Sequence, residues 1–470
     1  MKIRPLFFSG LIVFILSGCL INSVPSNGTS IPEPEDNGDR RSAYFHYCMA
    51  VYHEYHRENE AALSEYRKVL EYDPSSFEAI LKIGSIKLGR DQAEESIEWF
   101  LRARELQPDS YRAAFLLATA YYKVGREDEA LEEYREASRI APQEHSPYLL
   151  MANIYTQKED YDAALVIYRQ AVEQDPGQAD IWFRMGLLHT KQENLPAAIQ
   201  MFLKALTLVP ASLEARLALA LAYDLNEEDE KAIEEYERAR RLVPLNSNIY
   251  RRLGTLYFTT SHLKEAIDTF QRLLELEPDS PHIYFMLGTA HLSNKNYPAA
   301  IAAYQKELEQ GASSDLLHFN LGAAYERNGD FEQAVRQFEQ VIELNPRNAE
   351  AYNYLGYMYA EKGIKLDEAM ELIKRALEFE PDNGAFIDSL GWVYYQKGMV
   401  DEAVDQLERA TSIISDDPTG HDHLGDAYAG RGELIQAVEQ WKKSLALDPD
   451  DAEEIRNKIE DAETRLKEDD

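Results

Sequence analysis

Small and large apolar residues recur along this chain on two interleaved stripes. One stripe places a Gly or Ala at Gly84, Ala118, Ala152, Gly186, Ala220, Gly254, Gly288, Gly322, Gly356, Gly391 and Gly425. A large apolar residue stands just before most of these, and a tyrosine such as Tyr121, Tyr155, Tyr223 or Tyr257 stands three after. The second stripe places an alanine at Ala62, Ala130, Ala164, Ala198, Ala232, Ala266, Ala300, Ala334, Ala403 and Ala437, with an aromatic four residues on, as at Tyr66, Tyr134, Phe202, Phe270 and Phe338. Spacings of three and four put such positions on one helix face. Each interval therefore predicts two amphipathic helices, A and B. Proline closes the second, because it lacks an N–H and clashes with the preceding turn. Pro74, Pro108, Pro142, Pro176, Pro210, Pro244 and Pro278 stand 34 residues apart, and the ruler continues through Ala312, Pro346, Pro381, Ser415 and Pro449 with one inserted residue. Twelve hairpins thus run over residues 43–451.

A 34-residue helix–turn–helix period carrying these residues resembles the tetratricopeptide repeat family, over 409 of 470 residues. The resemblance implies an all-α fold, a right-handed α-solenoid (superhelix) in which the small residues let helices A and B approach and the aromatics fill the gap to the next repeat. Pro196 and Pro298 fall near the start of helix B, where proline is tolerated. Lys87 and Ser96 in repeat two, and Glu307 with Gly311–Ser314 in repeat eight, depart from the pattern and predict loosened packing or a local bend. Residues 452–470, with Ile455, Ile459 and Leu466 on one face, predict a capping helix.

The N-terminal residues speak to location. Lys2 and Arg4 precede the apolar run Leu6–Leu16, too short to span a bilayer as a helix and suited to a secretory signal. Leu16-Ser17-Gly18-Cys19 resembles the bacterial lipoprotein cleavage box. That resemblance implies a signal peptide over residues 1–18 and an acylated Cys19, with Leu20 favouring the outer membrane over the inner. Residues 19–42, rich in Pro, Ser, Asn and Gly, then read as a lipidated N-terminus and flexible tether. The expected location is the bacterial cell envelope, on the outer membrane facing the periplasm.

Charge narrows the partners. A net charge of −34 argues against nucleic acid, which needs clustered Lys and Arg, and suits a long soluble repeat array. Of the two cysteines, Cys48 reads as a small packed residue in helix A of repeat one, with a mixed disulfide to a partner as the alternative. No catalytic constellation is legible. His53-Glu54-Tyr55-His56 falls one residue short of the i, i+4 spacing of zinc proteases, and His421 and His423 point to different helix faces. His46 and His53 leave a surface metal cluster as an alternative to polar packing. The expectation is a protein that is not an enzyme, with no cofactor and no metal.

In the family, the fifth residue of helix A points into the concave groove. Here it reads Tyr47, Leu81, Phe115, Leu149, Phe183, Leu217, Arg251, Phe285, Phe319, Asn353, Asp388 and Asp422. The leucines read equally as packing between adjacent A helices; the aromatics suit contact with a partner. Tyr122, Phe258, Tyr357, Trp392 and Tyr395 add neighbouring inward positions, and Arg251 with Arg252 suits an acidic segment or carboxylate. The Lys and Asn pair of carboxylate-clamp relatives is missing, and of the Asn ladder of glycosyltransferase relatives only Asn320 stands here. Asn353–Tyr357, Gly384–Trp392 and His421–Asp426 resemble the C-terminal repeats of bacterial outer-membrane tetratricopeptide lipoproteins, some of which are adaptors of carboxyl-terminal processing proteases. The resulting expectation is a lipid-anchored periplasmic scaffold that binds proteins or peptides in its groove and docks an envelope protease with its substrates. An assembly factor for an outer-membrane machine such as a pilus, secretin or exopolysaccharide exporter is the alternative, and a metal-dependent envelope enzyme is a third.

Overall fold

The computed structural model describes residues 37–280, 282–449 and 451–468, and these hold 25 α-helices and no strand. The chain divides into two compact units between Ile181 and Trp182. In the first, the A helices Asn37–Tyr55, Phe77–Gly89, Tyr111–Lys123 and Ser146–Gln157 alternate with the B helices Asn59–Tyr72, Ala93–Leu106, Glu127–Ile140 and Tyr161–Gln174. In the second, hairpins of the same kind run to Pro418–Arg431 with Leu434–Ala446, and a last helix, Ala452–Glu468, packs on that final B helix. The fold is the all-α solenoid of antiparallel hairpins that the pattern predicts. Among the described residues no helix is long and apolar enough to cross a membrane.

The glycines of the A helices show how the hairpins that carry them close. A Cβ added to Gly254 would lie 2.4 Å from Cε1 of Phe270, and one on Gly186 equally close to Phe202. The aromatic of helix B therefore occupies the space a side chain on helix A would fill. Phe100, Phe270 and Phe338 are wholly buried there, each ring contributing about 2–3 kcal/mol of apolar burial. At the end of helix B, the N–H of Asp73 still bonds to the Val69 carbonyl, and Pro74 then ends the run.

Several expectations need correction. The first helix begins at Asn37, so residues 37–42 are helical rather than tether. Residues 1–36, including Cys19 and its box, lie outside the described residues. Cys48 is exposed, not packed; it shares a helix face with the exposed Tyr44, Tyr52 and Tyr55. The departures in repeats two and eight do not loosen the packing. Lys87 is buried with its ammonium on Glu95, and Ser96 is buried with its hydroxyl donating to the Ala93 carbonyl at 2.6 Å.

Glu307 is the most informative departure. It is 3 % exposed, and its two carboxylate oxygens accept the backbone N–H groups of His282 and Phe285, both at 3.2 Å. Those groups open the A helix of repeat eight, Ile283–Ser293. Other A helices are capped by the residue before them: Ser110, Ser212, Asn246 and Asn348 each accept an N–H from the first turn. Ser280 holds a comparable place before repeat eight, but its hydroxyl accepts from Arg251 at 2.9 Å instead. Glu307 reaches across from helix B and supplies the missing cap.

Candidate functional site

The fifth-position aromatics form a repeated rung. Tyr47 sits 5.6 Å from Tyr66, Phe115 5.7 Å from Tyr134, Phe183 5.8 Å from Phe202, Phe285 5.8 Å from Tyr304 and Phe319 5.5 Å from Phe338, centroid to centroid. Each is half-buried: one side of the ring packs on its own hairpin and part of it faces solvent. Leu81 is wholly buried, which is packing, whereas Leu149 and Leu217 keep some exposure. Arg251 donates to Glu277 and Ser280, both at 2.9 Å, while Arg252 is exposed with Asp224 at 3.7 Å. The two guanidiniums do not act as one cationic pair. Tyr122 donates to Gln157 at 3.1 Å, and Phe258 is half-buried beside Phe270 and its neighbours.

Among the described residues, the second unit holds a cavity of about 1020 Å³ on the A-helix side of repeats nine to twelve. Its apolar wall is Phe319, Tyr354 and Phe331, with the Phe319 and Tyr354 rings edge to face at 5.4 Å. Its polar wall carries Glu326, Glu350, Glu361, Asp388 and Asp417 against Arg327 and Lys362. Arg327 already has Glu326 at 3.3 Å, so the lining is acidic on balance.

Beneath this wall lies a buried polar cluster. Nδ1 of His423 is 2.9 Å from Oδ2 of Asp388, and both side chains are more than nine-tenths buried. The Trp392 ring stacks on the His423 ring at 4.2 Å and on Tyr395 at 5.2 Å, with Tyr357 at 6.3 Å from the imidazole. Burial alone would lower the His423 pKa, but the Asp388 carboxylate beside it, with Asp422 and Glu361 beyond, outweighs that and raises it. Burial also pushes the Tyr357 phenol well up, helped by Glu361 and Asp388. Deeper along the last repeat, Lys458 of the final helix donates to Asp422 at 2.9 Å and to Asp426 at 2.9 Å.

Three polar atoms of this region are left over. Asp388 Oδ1, Asn353 Oδ1 and Trp392 Nε1 are buried without a hydrogen-bond partner, and Asp388 and Asn353 line the cavity. Buried polar groups are nearly always paired, and an unpaired one costs about 1–3 kcal/mol. These acceptors are closed to solvent and add negative potential behind the wall of an open cavity. Sequence reasoning placed Asn353, Asp388, Tyr357, Trp392 and Tyr395 at inward positions and this structure brings them together. It missed His423, which was weighed against His421. The usable signal was the 35-residue separation of His423 from Asp388, one repeat plus one position. His421 points elsewhere, to Gln440 at 2.8 Å and the Ser415 carbonyl at 3.1 Å.

The histidines of repeat one do not meet. His46 pairs with Glu65 at 2.6 Å and His53 with Glu58 at 2.5 Å. Among the described residues no three or more His, Cys, Asp or Glu side chains converge so as to hold a metal ion.

Comparison with known proteins agrees with the fold. Residues 214–462 match the family model described as the cilia and flagella-associated protein 70 C-terminal domain. Tetratricopeptide repeat models match residues 49–106, 87–145, 152–193 and 179–211. No curated protein matches the sequence. Among solved structures, the chain is similar to the APC/C hetero-tetramer Cut9–Hcn1, at 14% identity and TM-score 0.43 over 89% of this chain and 96% of that one. It is also similar to Naa15/Naa10 bound to HypK-THB, at 16% identity and TM-score 0.41 over 85% of this chain and 68% of that one. A third similarity is to yeast Tom70, at 15% identity and TM-score 0.37 over 91% and 97% of the two chains. With one model spanning more than half of its residues and repeat models covering most of the rest, the chain belongs to the tetratricopeptide repeat family, in the group whose model is named for the C-terminal domain of cilia and flagella-associated protein 70.

Proposed function

We propose that this chain is a non-catalytic scaffold that binds polypeptides through the cavity of repeats nine to twelve. The observation that carries this is Asp388 Oδ1, a buried oxygen without a donor at the wall of an open, aromatic-flanked cavity. Its unanswered charge adds to the acidic lining that a docked chain meets. The repeat family supports the same reading, since a stack of hairpins offers an extended surface for other chains. The protein is displayed from an acylated Cys19 on the periplasmic side of a bacterial outer membrane, a reading supported by the signal-like run Leu6–Leu16, the cleavage-box residues Leu16–Cys19 and Leu20. Its first-choice partners are an envelope protease and that protease's substrates.

Site-directed photocrosslinking tests the docking. A photoreactive residue at Ala385, on the cavity wall, is expected to give envelope-protein adducts, and one at the exposed Ile435 on the last B helix is not. Equal adducts from both positions, or none from Ala385, would remove the cavity from the account. Replacement of Cys19 by Ala is expected to release the chain from the membrane fraction; continued sedimentation with membranes would remove the anchor.

A further inference from the structure

We propose that the cavity selects polypeptide segments bearing a lysine or arginine, whose cationic head is drawn to the acidic wall around Asp388. The inference rests on the docking reading above and specifies its chemistry. Four observations lead to it.

First, the unused groups are acceptors. Asp388 gives one oxygen to His423 and keeps the other unpaired, at 8% side-chain exposure. Asn353 Oδ1, one repeat earlier, is likewise an acceptor without a donor. Only N–H or O–H groups can satisfy them. A cation satisfies a carboxylate best, because a charge-assisted bond is roughly twice as strong as a neutral one.

Second, the local field is negative. His423, buried beside Asp388, faces Asp388, Asp422 and Glu361 as well as the rings of Trp392 and Tyr357. Glu350 and Asp417 add to the wall, and Arg327 is engaged by Glu326. An acidic segment is repelled there and a neutral one leaves the field unanswered.

Third, this charge lies just behind the wall: Oδ1 is closed to solvent, with only a glycine over one side. Gly420, in the first turn of the A helix of repeat twelve, stands where a Cβ would lie 3.5 Å from Asp388 Oδ1. A glycine inside a helix costs about 1 kcal/mol relative to alanine, and here it adds no side chain over Oδ1.

Fourth, the flank fits the rest of a basic side chain. Phe319, Tyr354 and Phe331 form an apolar wall on the same cavity, suited to the methylene stem of Lys or Arg and to an apolar neighbour. Lys and Arg bury their stems and keep the head polar, which is the division this cavity presents.

The test uses the full chain and three series of fluorescein-labelled octapeptides, blocked at both ends and identical except for a central Lys, norleucine or Glu. Fluorescence anisotropy at low salt is expected to show the Lys series binding at least tenfold tighter than the norleucine series, and the Glu series weakest. Asp388→Asn is expected to shrink the Lys preference to under threefold. Should that variant misfold by circular dichroism, Glu350→Gln and Glu361→Gln, both at exposed positions, are expected to weaken the Lys series two- to fivefold. Norleucine or Glu peptides that bind as tightly as Lys, and lose binding on Tyr354→Ala, would overturn the cationic preference and leave the docking reading standing. Binding by none of the three series would overturn the preference too, while crosslinking from Ala385 decides the docking reading separately.

Discussion

Glu307→Ala sets pattern and structure against each other. Alanine holds the equivalent position in seven repeats, at Ala103, Ala137, Ala171, Ala205, Ala239, Ala376 and Ala410. A consensus argument therefore makes the substitution neutral or stabilising, with a small gain from helix propensity. The structure says the opposite. Glu307 is the cap of helix Ile283–Ser293, through two bonds of 3.2 Å to backbone N–H groups. His282 at the head of that helix has a left-handed φ of 66° and gives no side-chain cap. A bond to a charged group contributes about 1.5–3 kcal/mol, but the two share one carboxylate and water replaces part of the loss. The expected cost is about 2–3 kcal/mol, partly offset by the propensity gain. Hydrogen exchange reads it directly: amides of 283–293 should exchange roughly 30- to 150-fold faster, with those of helix Tyr111–Lys123 unchanged. Glu307→Gln keeps one acceptor oxygen and should fall between. Protection at 283–293 equal to or above that of the unmodified protein would refute the capping account.

Three further predictions follow from packing and charge. Gly254→Ala forces a Cβ to within 2.4 Å of Phe270, so overpacking of about 1–3 kcal/mol should outweigh the roughly 1 kcal/mol gained in helix propensity; urea unfolding should show a lower midpoint, and in a Phe270→Ala background the same change should stabilise. His423 has its pKa raised in the folded chain, so the bond to Asp388 contributes in full below the unfolded value of about 6.5 and is lost as pH rises through the higher native value. The midpoint gap between the unmodified protein and His423→Gln should therefore narrow from pH 5.5 toward alkaline pH, and a gap that widens would contradict the pairing. Lys458→Met leaves Asp422 and Asp426 facing each other without their cation, so residues 452–468 should lose exchange protection by about 2 kcal/mol, with recovery when both aspartates become Asn.

Much of the fold was legible because a stacked array repeats its own constraints. The small residues at Gly186 and Gly254 and the aromatics Phe202 and Phe270 mark the same contact two copies apart, so periodicity alone locates the hairpins. What escaped were contacts between unlike positions, within one hairpin or from one copy to the next. Glu307 looked like a packing fault because its partners are backbone N–H groups 25 and 22 residues earlier, which no side-chain pattern marks. His423 looked like half of a local histidine pair because its partner Asp388 lies a repeat away. Cys48 looked buried because residue type suggests it; in the first hairpin that face of helix A carries Tyr44, Tyr52 and Tyr55 in the open. The fifth-position aromatics lie on the A helices, but only coordinates show that each ring also serves its own hairpin.

The contact between a bare Cα and an opposing ring also limits how such a gene can be shuffled. Joining helix A of repeat three, with Ala118, to helix B of repeat seven, with Phe270, sets a methyl group where Gly254 now leaves space at 2.4 Å. Crossovers inside a hairpin can thus cost about 1–3 kcal/mol of overpacking, whereas crossovers at the prolines exchange self-consistent modules. Lengthening or shortening the array by whole modules is the change this architecture tolerates best.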